Sequence, residues 1–430
     1  MGSSNSRSTP PVLTTCKAPM YCIKKLGGRH LLLGGGGGAA KTGVPNQMES
    51  HLISFKKTVS QSATGMCAQL SNTIGTEQYA TMNMDVVCVG NPESGRYLIA
   101  AGHDSYCDIY ETGGYNVSSE HGDNVLAYNF TKIARISTDE KVDGYQKCVR
   151  FDKASRGQKL VTGGSDGYLR VWDVKDIVNN RNPEIVRKPI TEIRAHQGDI
   201  DDVDISPDGR IIMSIGTDGV FSMWDMMSGK KIQDLEIPAV IGKGYRVRSA
   251  RYTALGGNNI IFVVAYNCIQ RTSKSSCFLA LWAYNRERQV CKPVIVKEAR
   301  KGESISALCV SSCGNFTGIG TLGGSVGIFD THEMKPLQFF KETHGIFVTG
   351  VEFLSRVAED VVLPSSDGSK RLIPGVAAGN KASLVSLSAD QTVQVHALPF
   401  DSAGSPSAFL CKIAILSLVL YFLLWTFSGF

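Results

Sequence analysis

The chain has 430 residues, 43% hydrophobic and 20% charged, a mixture that supports a large core and excludes a disordered protein. Its net charge of +6 comes from scattered Lys and Arg without the clustered stripe that tracks a phosphate backbone, so no nucleic acid partner is expected. Twelve cysteines at irregular spacing, the nearest body pair being Cys309 and Cys313 with no His to complete a zinc site, read as reduced thiols.

From the amino end, Met1 to Lys17 reads as a flexible arm: its start is Ser/Pro-rich and lacks the apolar core of a secretory signal. Met-Gly-Ser-Ser-Asn-Ser also fits the pattern for myristoylation on Gly2. The propeller described below is expected over residues 18–400, beginning with an apolar strand that runs into Gly34-Gly-Gly-Gly-Gly38-Ala-Ala-Lys41-Thr42-Gly43-Val44-Pro45-Asn46. A Walker A loop needs Gly before Lys-Thr and a helix after it. Here Ala40 precedes Lys41, and Pro45 stops a helix. Three readings of loop 34–46 therefore stand: a concave array of backbone groups that holds an ion, a compact loop pushed out to meet a partner, or a plain hairpin.

Further along, a segment repeats: Thr162-Gly-Gly-Ser-Asp166-Gly-Tyr-Leu-Arg-Val-Trp172-Asp173 and Ser214-Ile-Gly-Thr-Asp218-Gly-Val-Phe-Ser-Met-Trp224-Asp225, with a weaker copy ending at Phe329-Asp330 and a filler at Phe278–Trp282. Each copy is a strand, a Gly/Asp turn and a second strand ending in an aromatic residue, the spacing of WD-type propeller blades. His196, Ser214, Asp218 and Trp224 are expected to form a buried hydrogen-bond network, a structural role that outweighs catalysis by His196 and Asp218 because the repeat accounts for both. Seven candidate blades follow: Leu31–Phe55, Leu98–Tyr110, Val149–Trp172, His196–Trp224, Ala250–Trp282, Ser304–Phe329 and His344–His396. Residues 355–382 read as an insertion in the last.

Residues 401–412 read as a juxtamembrane linker, and 413–430 as an uncharged 18-residue stretch that meets the lower limit for a transmembrane helix. Ile413, Leu416, Leu420 and Leu424 supply its apolar surface, Lys412 marks the cytosolic boundary and Trp425 suits an interface. The fold class expected is thus all-β, a seven-bladed WD40-type β-propeller followed by a C-terminal transmembrane helix. A short span suits the thinner bilayer of the endoplasmic reticulum.

Gly-Gly-Gly-Gly-Ala-Ala-Lys-Thr-Gly after the first strand, Thr162-Gly-Gly-Ser-Asp-Gly-Tyr-Leu-Arg-Val-Trp, Ala195-His-Gln-Gly-Asp-Ile-Asp-Asp, Thr321-Leu-Gly-Gly-Ser-Val and His344-Gly-Ile-Phe-Val-Thr, in that order, carry a resemblance. The chain resembles the family of the prolactin regulatory element-binding protein, membrane-anchored guanine-nucleotide exchange factors for the small GTPase of the COPII coat. That resemblance implies a GTPase regulator, not an enzyme with covalent chemistry, acting on the GDP-bound or nucleotide-free GTPase at the endoplasmic reticulum membrane. It also implies a potassium ion held by loop backbone, matched here to Gly36, Gly37, Gly38 and Gly43. The exchange segment maps to Gly43, Val44, Pro45 and Asn46, since fungal members carry a similar Gly-Ile-Pro-Asn. Asn46 is expected as the polar tip and Val44 as the apolar wedge. The alternative is a membrane-anchored WD scaffold without exchange activity.

Overall fold

Seven short strand-turn-strand patterns, each too apolar on its faces to leave in water, need one another for burial, and a closed ring is the arrangement in which every blade packs against a neighbour on both sides, leaving only short edges. The computed structural model describes residues 10–40, 43–57, 64–118, 124–139, 143–182, 185–256, 259–364 and 370–400. Among these are seven four-stranded antiparallel sheets. Blade 1 holds strands Met20–Leu26, His30–Gly35, Gln47–Lys57 and Thr64–Gly75, running from the centre outward. Blades 2 to 6 repeat this meander, starting from inner strands Asn83–Cys88, Gln146–Phe151, Ile200–Ile205, Tyr245–Tyr252 and Ile305–Val310.

Blade 7 is assembled from both ends of the chain. Val348–Phe353, Ala382–Ser388 and Thr392–Leu398 pair in sequence order, and the outer strand is Val12–Thr15, antiparallel to Thr392–Leu398. The arm expected over residues 1–17 is therefore corrected: Val12–Thr15 belongs to the propeller. Four residues carry too little periodicity to announce a strand, and the partner that gives them one lies at the opposite end of the sequence. Between the first two strands of blade 7 sits a hairpin, Val357–Pro364 with Lys370–Pro374, inside the segment read as an insertion.

The core is seven apolar layers, one between each pair of neighbouring blades. The run Leu31-Leu32-Leu33 shows why a blade strand reads as continuously hydrophobic: Leu31 and Leu33 enter the layer against blade 7, and Leu32 enters the layer against blade 2. All three are fully buried, so truncating any of them to Ala costs about 2–5 kcal/mol. The seven inner strands surround a channel cavity of about 310 Å³ lined by charges that neutralise one another. Lys24 lies 3.6 Å from Asp85 and 3.7 Å from Glu352, and Arg251 lies 2.5 Å from Asp202.

Among the described residues no helix is long and apolar enough to cross a membrane. The segment expected to do so, 413–430, with Lys412, Ile413, Leu416, Leu420, Leu424 and Trp425, lies outside the described residues, as does the linker 401–412.

Candidate functional site

Because each blade is an antiparallel meander, the loops joining its second and third strands emerge on the same end of the ring as the connections from blade to blade. The Gly-rich loop is the second-to-third-strand connection of blade 1. Its start is fixed by close approach: a Cβ on Gly35 would collide with Pro19 O and Met20, and Gly36 N donates to Pro19 O at 2.9 Å. Gly36 has φ +135°, and a Cβ there would overlap Pro45 O and the Cα and Oδ1 of Asn46. Only glycine lets the outgoing and returning strands touch at this point. A short 3₁₀ turn over Gly38–Ala40 follows, while Lys41 and Thr42 lie outside the described residues.

Asn46 closes the loop from its other side. Its Oδ1 accepts from Gly38 N at 2.8 Å, its Nδ2 donates to Gly38 O at 3.1 Å and reaches Glu77 O at 3.4 Å. A side-chain amide is the one neutral group that answers both the N–H and the C=O of a single residue, so Asn46 clamps Gly38 as a strand partner would. It stands at the loop's root rather than at its tip, half-buried, with its amide spent inside the loop. Val44 is also half-buried and packs on the layer between blades 7 and 1. The exposed residues are Ala39, Ala40, Gly43 and Pro45, and a Cβ added at Gly38 or Gly43 would meet open space. Gly43 has φ +79°. The structure thus brings Gly36, Gly38, Pro45 and Asn46 together, with Gly37 between them in sequence, and leaves Gly43 exposed.

A charged cluster not foreseen from the sequence supports this root. Glu77, in the turn after blade 1, bridges Lys132 at 3.0 Å and Arg135 at 3.1 Å, and both cations reach the buried Asp108, at 2.9 and 2.7 Å. Hydrogen bonds from Lys132 and Arg135 hold the Glu77 carboxyl below the usual carboxylate range. Glu77 lies at least thirty residues before the paired strands that carry Asp108, Lys132 and Arg135, so no local pattern announces the cluster. On the same end of the ring, Met82, Tyr145, Leu322, Ile346 and Phe347 expose apolar surface from blade connections and loops.

The network around His196 is present as expected. The His196 ring bonds Asp218 Oδ1 at 3.1 Å and Ser214 Oγ at 2.8 Å, and Trp224 Nε1 donates to the same Oγ at 2.8 Å. Burial holds the His196 imidazole below its ordinary pKa, so Nδ1–H donates to Asp218 and Nε2 accepts from the Ser214 hydroxyl. Every polar atom is spent on fold, and no group is left to take a substrate proton. Blade 7 repeats the network through His344, Asp390 and Ser386, with His396 Nε2 donating to Ser386 Oγ at 2.8 Å where blade 4 uses tryptophan.

Seven four-stranded sheets, closed by an N-terminal strand and pinned by His-Ser-Asp-Trp networks, define a WD-repeat β-propeller. The WD domain, G-beta repeat, matches residues 143–173 and 187–225, the second of which holds the His196 network. Over 96% of both chains the sequence is 27% identical to the guanine nucleotide-exchange factor SEC12 of Rattus norvegicus and of Mus musculus. It is 28% identical to SEC12-like protein 2 of Arabidopsis thaliana over 53% of this chain and 51% of that one. The chain is thus similar over nearly its whole length to the SEC12 guanine nucleotide-exchange factors.

Proposed function

We propose that the chain is a guanine-nucleotide exchange factor that promotes GDP release and GTP loading on the small GTPase of the COPII coat, at the endoplasmic reticulum membrane. The observation that carries this reading is the Gly-rich loop: exposed at Gly43 and Pro45, clamped at its root by Asn46, and set on the end of the ring that exposes Ile346 and Phe347. The rodent relatives, aligned over 96% of each chain, carry guanine nucleotide exchange in their names.

Exchange needs no covalent step. By linkage, the factor by which the loop prefers nucleotide-free GTPase is the factor by which it weakens nucleotide binding. A braced loop serves this because ordering it on contact would consume binding free energy that otherwise displaces nucleotide. The residues present also suit a potassium ion. Neutral carbonyl oxygens are the donors that a hard monovalent cation takes, and the run of glycines offers backbone carbonyls with no side chains in the way. Gly36, Gly37, Gly38 and Gly43 would supply the backbone oxygens around it, and the ion's charge would stiffen them. Residues 413–430 would tether the propeller on the cytosolic side and raise its local concentration at the membrane.

The test is release of fluorescent GDP from the coat GTPase, in potassium and in sodium, with the full chain and with residues 38–44 replaced by a Gly-Ser linker of equal length. Acceleration that needs both the native loop and potassium supports the reading. Equal rates with and without the chain leave the anchored scaffold as the better description.

A further inference from the structure

Glu49 and His51 lie two apart on the strand Gln47–Lys57, hence on one face, opposite Leu33 and Leu31 of the neighbouring strand. Those leucines point into the apolar layer between blades 7 and 1. Cys16 enters that layer from the other side, directly after the closing strand Val12–Thr15, with its N–H bonded to Gln391 O of blade 7 at 2.8 Å. The three side chains are 4%, 3% and 2% exposed, and one ligand atom from each lies within 4.8 Å of the others.

A carboxylate buried among leucines calls for a compensating positive charge. Glu49 accepts from Gln47 Nε2 at 2.6 Å and lies 2.8 Å from His51 Nε2, but among the described residues no Lys or Arg pairs with it. His51 Nδ1 is buried without a hydrogen-bond partner. We infer that Cys16, Glu49 and His51 form a zinc site that staples the seam of the propeller. One thiolate, one imidazole and one carboxylate are the donor types zinc takes, whereas magnesium and calcium refuse the sulfur.

Zinc–ligand bonds of about 2.0–2.3 Å place tetrahedral ligand atoms roughly 3.3–3.7 Å apart, so Glu49 and His51, 2.8 Å apart, open by about 0.5 Å, while the widest separation, within 4.8 Å, closes by up to about 1 Å. The fourth position falls to water or to the Gln47 amide oxygen. On binding, the Cys16 thiol releases its proton to solvent, His51 binds as the neutral imidazole, and the hydrogen bond between Glu49 and His51 gives way to two coordinate bonds. The metal joins the strand that closes the ring to the strand that leaves the exchange loop, three residues beyond Asn46. The site does not depend on the proposed exchange activity.

The full chain, purified without chelators or a metal-affinity step, is assayed for zinc by plasma mass spectrometry. It is then stripped and titrated with cobalt, whose bond to one thiolate gives a near-ultraviolet charge-transfer band. About one zinc per chain is expected. The band should be present in the native chain, absent in Cys16→Ser and weakened in Glu49→Gln. X-ray absorption of the native zinc protein, which needs no variant to fold, should give one sulfur at about 2.3 Å with nitrogen or oxygen ligands at about 2.0–2.2 Å. A chelator should lower the melting temperature of the native chain and leave Cys16→Ser unmoved. A native chain free of zinc and without the cobalt band overturns the assignment, as does a zinc shell with no sulfur or with two, or a band that survives Cys16→Ser.

Discussion

Replacing Asn46 with alanine removes both bonds that clamp Gly38, the acceptor at 2.8 Å and the donor at 3.1 Å, and the weaker reach to Glu77 O. Each of the two good bonds contributes about 1 kcal/mol net, so the loop loses about 2 kcal/mol of preorganisation. If that preorganisation serves the exchange step, the GTPase is engaged about 30-fold less well at subsaturating concentration. Global stability should hardly change, because Asn46 is half-buried at the rim of the ring and touches no core layer directly. The assay is fluorescent GDP release against exchange-factor concentration, with a thermal melt of the same preparation. Gly36→Ala offers an independent route to the same defect: its Cβ would overlap Asn46 Oδ1 and Cα, at a φ of +135° that alanine disfavours. The double variant should be little worse than the worse single one, since both break one clamp. Exchange within twofold of native in Asn46→Ala, with an intact melt, refutes the view that the clamp prepares the loop.

Four other outcomes are expected. Ser214→Ala orphans the Trp224 N–H and His196 Nε2, two buried groups, so chemical denaturation should show about 2–4 kcal/mol lost while exchange per folded molecule is unchanged. Burial pushes the His396 imidazole down to about 3, below its unfolded value of about 6.5. The unfolded chain therefore binds a proton that the folded chain refuses: stability is whole above about pH 6.5 and falls by about 1.4 kcal/mol per unit on acidification until about pH 3. His396→Gln should flatten the stability curve in that window by about one proton. Deleting residues 1–15 should lower the melting temperature and promote association, since it bares the edge of Thr392–Leu398. Expressed in cells with the propeller cytosolic, the chain should carry no glycan on Asn116, Asn129 or Asn315, read as unchanged gel mobility after glycosidase treatment.

What the sequence made legible follows the range over which each feature is encoded. The network of His196, Ser214, Asp218 and Trp224 sits within thirty residues, and its Ser/Thr, Asp and Trp members recur with one spacing at Thr162, Asp166 and Trp172, so blade and network could be read together. In blade 7 the same network spans His344 to His396 across an inserted hairpin, and its aromatic member is a histidine, so only its opening His344 stood out. Val12–Thr15 escaped because its partner strand lies at the far end of the chain. The five glycines marked the loop, but Asn46 as its clamp required Gly36 and Gly38 to fold back on it, a contact set by φ angles and not by residue order. Glu49-x-His51 did offer a signal, two ligand types on one strand face. Cys16, the third member, is thirty-three residues earlier, just past the end of a strand in another sheet.

The shared blade also sets a clock. Val12–Thr15 leaves the ribosome roughly 380 residues before Thr392–Leu398, the strand it waits for before it can pair. At about 5–20 residues per second that is about 20–75 s of synthesis. The Gly-rich loop is made early as well, yet Val44 rests on a layer that exists only once blade 7 is in place. A nascent or prematurely terminated chain therefore carries the loop without its floor, and ring closure acts as the checkpoint that separates a finished molecule from a fragment.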